Sequence, residues 1–315
     1  MINNFKQKHL ISKNFQTEVY EVMYHDAIAI LKIHKDKQKY QIETRVLEIL
    51  QNKAVFIPTL FDTKDDFSNS GCGFILESKL EGDNLLEKYN KLTPEEKSSI
   101  VCKTAIMLGD FNKILNKVEI DRNLEYFFKK DMLEFGKVPW KEFLKDKIKK
   151  WTSMLCSSED CLDYELVQEF LIEILNKIKI SSNEFGLIHR DYGFRNILIS
   201  SENEIAGIID FEHSMIGDIL FDTTKIIFNN LNFKRDKKLV QLFLNSWQSV
   251  TSVKIDEKIK IDEKKLYLYL AVQGLGVLQW CSLQKNPIAH LDYLNKGREI
   301  LEFSLDRLGI DGKCC

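Results

Sequence analysis

The sequence predicts an α+β chain of two lobes, a small N-terminal sheet carrying one helix and a larger, mostly helical C-terminal part. Three observations predict it. Strand-like runs dominate residues 1–80, a helical period dominates from Leu85 onward, and short apolar runs return between 186 and 212. The composition can supply both lobes with a core. Of 315 residues, 44% are hydrophobic and 29% charged, too apolar for a disordered chain. That length fits one large domain or two lobes.

In chain order, Glu18 to Met23 and Ala27 to Ile33 carry Val, Tyr and Ile and flank His25-Asp26, the pattern of a hairpin. Tyr40 to Leu50 places apolar residues at 42, 46, 47 and 50, one face of a helix. Further strands are expected near Thr59 to Asp62 and Gly73 to Glu77, before the connector Glu81-Gly-Asp-Asn84. The expected division is therefore residues 1–80, a connector at 81–84, and residues 85–315. Thr93-Pro-Glu-Glu96 is a capping box with Pro at the first helical position, opening a helix to about Leu115. Amphipathic stretches follow at 122–135, 139–155 and 163–179. Then come short runs at Gly186 to Ile188, Ile197 to Ile199 and Ile205 to Ile209, and three or four more helices. The most apolar stretch, Leu266 to Cys281, is broken by Gln273, Gly274, Gly276 and Gln279 and is shorter than the ~20 residues of a membrane span. It reads as a buried helix.

Charge narrows the function. With 45 basic against 47 acidic side chains the net charge is -2, unlike a protein whose task is neutralising nucleic-acid phosphates. No apolar signal core follows Met1, so a cytoplasmic protein without a membrane partner is expected. Seven cysteines form an odd set without metal-ligand spacing and read as reduced, mostly buried thiols. The six histidines are scattered, with no H-x-x-x-H zinc pattern.

Two segments carry chemistry. The first is His189-Arg-Asp-Tyr-Gly-Phe-Arg-Asn196; the second, Ile208-Ile-Asp-Phe-Glu212, begins 12 residues later. Asn196 and Asp210 would each offer a hard oxygen to Mg²⁺, which keeps waters and phosphates in its other positions. Asp191 would remain to orient a substrate hydroxyl and accept its proton. Either aspartate alone could merely cap a turn; the pair, each flanked by strand-like apolar runs, points to phosphoryl transfer.

These motifs resemble the catalytic loop and metal-binding segment of the protein-kinase-like fold, and in detail those of the aminoglycoside phosphotransferase and choline kinase family. Gly217-Asp218-Ile-Leu-Phe-Asp222 stands where that family has a Gly-Asp followed by a further Asp. The resemblance implies a two-lobed kinase fold, with Lys32 on the nucleotide phosphates, Glu43 holding it, and His189 and Asp222 bracing the catalytic loop. Glu48 is a competing partner for Lys32. It further implies that the Ser78 carbonyl and the Leu80 amide meet the base of ATP or GTP, and that Thr17 serves a glycine-free loop over the phosphates. Arg195 either reaches the transferring phosphate or pairs with a nearby carboxylate.

Glu212 replaces the glycine of Asp-Phe-Gly, and Gly217-Asp218 begins only seven positions after Asp210, leaving no room for an activation segment that docks a peptide. A small-molecule hydroxyl acceptor is expected, cationic and aminoglycoside-like first, on a monomer or weak dimer. Acidic clusters at Asp121 to Glu134, Glu159 to Glu165 and Asp292 to Asp306 could meet such a cation, although interleaved lysines also suit plain solvated helices. The alternatives are a metabolic kinase for choline, a sugar or an amino alcohol, and an inactive kinase-fold binding protein.

Overall fold

The computed structural model describes residues 8–51, 53, 56–156, 162–231, 233, 236–251, 262–284 and 286–310. Its chain divides into two compact units. One joins Met1–Leu108 to His189–Met215, the other Gly109–Ile188 to Ile216–Cys315.

The first unit holds a five-stranded antiparallel sheet of β1 (Lys8–Lys13), β2 (Thr17–Tyr24), β3 (Ala27–His34), β4 (Leu60–Asp66) and β5 (Cys72–Ser78), in the order β1-β2-β3-β5-β4. His25 and Asp26 turn the β2–β3 hairpin with φ of 46° and 62°, the left-handed geometry that matches strand twist. Val22, Ala29, Leu31, Ile33, Phe74 and Leu76 form the sheet's core. β4 extends beyond the expected Thr59 to Asp62 because Thr63 to Asp66 pair with β5 as a polar edge strand, which carries no hydrophobic alternation.

Helix α1 (Lys37–Leu50) starts three residues before the expected Tyr40. The Asp36 carboxylate accepts hydrogen bonds from the amides of Gln38 and Lys39 at 2.9 and 3.1 Å and so caps it there. Its buried face comprises Tyr40, Glu43, Val46, Leu47 and Leu50, so helical spacing turns an acid into the interior. Gly73 on β5 admits the Tyr40 ring, which a Cβ there would meet at 2.5 Å.

Three short strands, Asp83–Asn84, Ile197–Ile199 and Ile205–Ile208, form a second sheet in this unit. Ile197, Ile199 and Ile208 are fully buried and anchor the segments on either side of them. The Thr93–Glu96 capping box forms, with both reciprocal hydrogen bonds, at the start of helix Pro94–Asn112.

The second unit is mainly helical: Lys117–Phe127, Pro139–Leu155, Tyr164–Lys177, Leu220–Asn229, Lys237–Thr251, Glu263–Ser282 and Leu291–Leu308, with Phe185–Ile188 paired to Met215–Asp218. The stretch expected as a helix over 122–135 begins earlier, at an Asn116–Glu119 capping box, and ends at Phe127 before a 3₁₀ turn at Lys130–Leu133. Helix Glu263–Ser282 is the buried one expected. Its Gly274 lies against the Gly297 carbonyl of helix Leu291–Leu308, where a Cβ would sit 2.7 Å from that oxygen. Among the described residues no helix is long and apolar enough to cross a membrane.

The buried charges of this unit meet partners. Lys265, 2% exposed, lies 2.5 Å from Glu184 and 2.9 Å from Asp218. Tyr269 donates to Asp218 at 2.9 Å, and Trp140 donates to the Tyr269 hydroxyl at 3.1 Å. The expectation of mostly buried thiols needs correcting. Of Cys72, Cys102, Cys156 and Cys281 only the last is buried, Cys156 being exposed; Cys161, Cys314 and Cys315, with Glu159 and Asp160, lie outside the described residues.

Candidate active site

Lys32 and His34 are two residues apart on β3, so the pleat turns both to one face of the sheet. α1 brings Glu43 to that face. Lys32 Nζ lies 2.5 Å from Glu43 Oε1 and 2.9 Å from Glu77 Oε1, and all three residues are buried. Burial works against the Lys32 charge, but Glu43, Glu77 and Asp210 outweigh it and hold the ammonium above its ordinary pKa. Burial likewise opposes ionisation of Glu43, yet Lys32 and His34 prevail and keep its carboxyl well below the usual range. Glu77 is pushed the other way by burial and then by Glu43, in spite of Lys32. Glu48, the competing candidate, pairs instead with Arg45 at 3.3 Å on the exposed side of the helix.

The catalytic-loop candidates lie between strand Phe185–Ile188 and strand Ile197–Ile199. Buried His189 accepts the Asp191 amide on Nδ1 at 3.3 Å, which leaves Nε2 to donate to the Ile209 carbonyl at 3.1 Å. Burial holds this ring's pKa below the ordinary histidine value, as a neutral tautomer requires. His189 thereby ties the loop to the residue preceding Asp210. Asn196 donates through Nδ2 to the Asp191 carbonyl at 2.9 Å and to its Oδ2 at 3.0 Å. With the amide nitrogen committed, the amide oxygen is the atom left to serve a cation. Arg195, whose side chain is 60% exposed, pairs with the same Asp191 Oδ2, so of its two expected roles the carboxylate contact is the one formed.

Arg190 and Asp210 both take left-handed backbone, φ 64° and 71°. For a non-glycine residue that costs about 1–3 kcal/mol, a strain characteristic of functional loops. Asp210 faces the cavity with its carboxyl pKa pushed up to about 7, first by burial and then by Glu43, with Glu212 and Asp191 adding to the push against Lys32. So many acids around one carboxyl are a donor set short of a cation, which is the chemistry a Mg²⁺ site needs; the residues fit the ion.

Several partners of these residues had no role assigned from the sequence. Glu212, quoted within Asp-Phe-Glu but given no role, lies 2.6 Å from Lys39 Nζ and accepts from the Thr17 hydroxyl at 3.3 Å. The Thr17 hydroxyl thus points at Glu212, and Asn14 Oδ1 ties the amides of Gln16 and Thr17 at 2.7 Å each. Glu77 had a signal, an acid closing the apolar run Gly73-Phe-Ile-Leu76. His34 and Lys39 had none, because only tertiary approach makes them meet acids. Ser78 donates its amide to Thr59 at 2.9 Å, and its hydroxyl accepts the Thr59 amide at 2.8 Å.

A cavity of about 650 Å³ gathers Thr17, Lys32, Glu43, Ser78, Leu80, Asp191, Arg195, Asn196 and Asp210 along its wall. Asp222 belongs to the second unit, fully buried, with Asn112 Nδ2 donating to it at 3.1 Å and to the Leu187 carbonyl at 2.9 Å. Its support therefore runs to the strand that precedes His189.

A five-stranded sheet with its helix, followed by a mainly helical part, is the protein-kinase-like fold of a phosphotransferase. The chain belongs to the Phosphotransferase enzyme family (APH), whose profile matches residues 9–255. Solved structures of similar fold include the ADP-bound aminoglycoside phosphotransferase APH(2'')-Ib, with 18% identity, TM-score 0.64 and coverage of 97% of this chain and 95% of that one. A thermostable mutant of aminoglycoside phosphotransferase APH(4)-Ia, in ternary complex with ADP and hygromycin B, shares 12% identity at TM-score 0.64, covering 98% and 96%. Spectinomycin phosphotransferase APH(9)-Ia, in complex with ADP and spectinomycin, shares 13% at TM-score 0.59, covering 96% and 93%. No curated protein matches in sequence.

Proposed function

We propose that the chain is a Mg²⁺- and nucleotide-dependent small-molecule kinase that transfers the γ-phosphoryl group of ATP or GTP to a hydroxyl, with a cationic aminoglycoside-like antibiotic as the first acceptor class. One observation carries the reading. A buried lysine with its glutamate, a loop aspartate, an asparagine and a strained aspartate all line a single cavity of nucleotide size. In this reading residues 1–80 bind nucleotide, 81–84 form the hinge and 85–315 supply the catalytic loop and the acceptor lobe.

Lys32 neutralises phosphate oxygens as a point charge, and Glu43 fixes its long stem. Asn196 and Asp210 hold Mg²⁺, which when bound supplies charge to the phosphates and orients them. Asp191 accepts a hydrogen bond from the acceptor hydroxyl and takes its proton as the phosphoryl group transfers. Arg195, on the exposed side of Asp191, is placed to swing to the transferring group. The Ser78 carbonyl and Leu80 amide receive the base, and Thr17 closes the loop above the phosphates.

The test is nucleoside diphosphate formation from MgATP and MgGTP across a panel of aminoglycosides, choline, amino alcohols and sugars, with Asp191→Ala as control. Acceptor-stimulated turnover that the variant loses is the expected result. Stimulation by amino alcohols alone would replace the antibiotic acceptor by a metabolic one, and turnover intact in Asp191→Ala would overturn the mechanism.

A further inference from the structure

His34 has no part in the chemistry above, yet it is fully buried beside it. We propose that His34 is a positioning residue for phosphoryl transfer, a bridge that locks the Lys32–Glu43 pair to the Asp210 segment through Glu212. The inference rests on the kinase reading of the same site.

The two oxygens of Glu43 face different neighbours. Its Oε1 meets Lys32 at 2.5 Å and accepts the Phe211 amide at 3.4 Å, while its Oε2 has one positive-capable neighbour among the described residues, His34 Nε2 at 2.9 Å. That approach is close but lies off the line of a good hydrogen bond. Glu212 is divided in the same way. Its Oε1 meets Lys39, and its Oε2 takes the Thr17 hydroxyl with His34 Nδ1 at 3.7 Å. One imidazole therefore stands between two carboxylates, one on the helix that orients Lys32 and the other two residues past Asp210. Removing it would leave a buried carboxylate oxygen uncompensated, and the carboxylate would turn toward whichever cation remains. Lys32 would be drawn with it.

His34, Glu43 and Glu212 also present atoms within 4.8 Å of one another, a spacing that could hold a metal ion. Lysines at 2.5 and 2.6 Å already answer both carboxylates, so a further cation would sit against two ammonium groups. The imidazole bridge is the arrangement that this charge balance favours.

The experiment is titration of the full chain with AMP-PNP, with and without Mg²⁺, for wild type, His34→Gln, Glu212→Gln, the double variant and Lys32→Ala. Each single variant is expected to weaken Mg-AMP-PNP binding roughly 10-fold, the scale on which residues orienting a metal site act. The double variant should be no weaker than the worse single one, since both remove the same bridge. The gain in affinity on adding Mg²⁺ should also shrink in His34→Gln, whereas a purely structural loss would weaken both forms alike. Should His34→Gln fail to fold, Glu212→Gln, with the imidazole in place, carries the same measurement. Lys32→Ala separates the two failures. If it binds like wild type, the kinase reading falls; if it loses affinity while His34→Gln does not, or the two glutamine losses add, the bridge is overturned. A stoichiometric metal held without nucleotide and lost in His34→Gln would also overturn it.

Discussion

Asp191 concentrates the consequences at the scale of single residues. Its carboxylate takes contacts from Arg195 and from Asn196 Nδ2, which fix its direction before any hydroxyl arrives. Replacing it with Asn keeps the shape and, in the proposed mechanism, removes the proton acceptor. Turnover of an established acceptor should fall by roughly 10²–10⁴-fold, with nucleotide KM little changed, as steady-state kinetics would show. Asp210 supplies a pH prediction. A carboxyl raised to about 7 keeps, between pH ~4 and ~7, a proton that the unfolded chain has lost. Its contribution to stability is present at low pH and declines as pH rises through that window. On the proposal that Asp210 holds Mg²⁺, binding of Mg²⁺-nucleotide must displace the proton. Calorimetry at pH 7 in buffers of different ionisation enthalpy should therefore find release of roughly half a proton, and Asp210→Asn should abolish it. Legibility follows the same line: Asp191, Asn196 and Asp210 stood out because short spacings along the chain group them, and Lys32 and Glu43 only because the family resemblance implied them. His34 and Lys39 did not, since each meets Glu212 only after 173 or more residues have folded back.

Elements position these residues, and α1 does so most directly. It presents Glu43 and Lys39, one helical turn apart, to Lys32 and Glu212, and Asp36 sets where it begins. Asp36→Ala should cost about 1 kcal/mol of stability in urea unfolding through loss of the cap. It should also weaken nucleotide binding, because the first turn carries Lys39. The helix was legible from its apolar spacing but its start was not, because a cap depends on one side chain rather than on a period. β4 shows the converse. Its polar half is a strand only because β5 pairs with it, and an edge strand needs no apolar face.

On the scale of the molecule, the second unit offsets its buried lysine and aspartate by pairing them, although the Ser304 hydroxyl in the same interior makes no hydrogen bond among the described residues. Lys265 answers Glu184 and Asp218 and is almost wholly removed from water. Lys265→Met would leave Asp218 buried without its cation, and a loss of about 3–5 kcal/mol in thermal or denaturant unfolding is expected. Asp218→Asn, combined with it, should recover part of that loss. This unit was legible as helices because amphipathic periods extend over many residues; a lysine on the buried face of Glu263–Ser282 was not, because its partners come from a strand end and a 3₁₀ turn about 50 and 80 positions away.

The tight loop before β2 has a consequence for how a triphosphate is held. Asn14 spends the amides of Gln16 and Thr17 inside the turn, so those peptide dipoles are unavailable as a cradle. In the proposed function, retention of the polyanion then falls chiefly to Lys32 and a divalent ion, formal charges whose reach salt shortens wherever water enters. Donor affinity should accordingly fall more steeply with ionic strength than it would beneath a glycine-rich canopy.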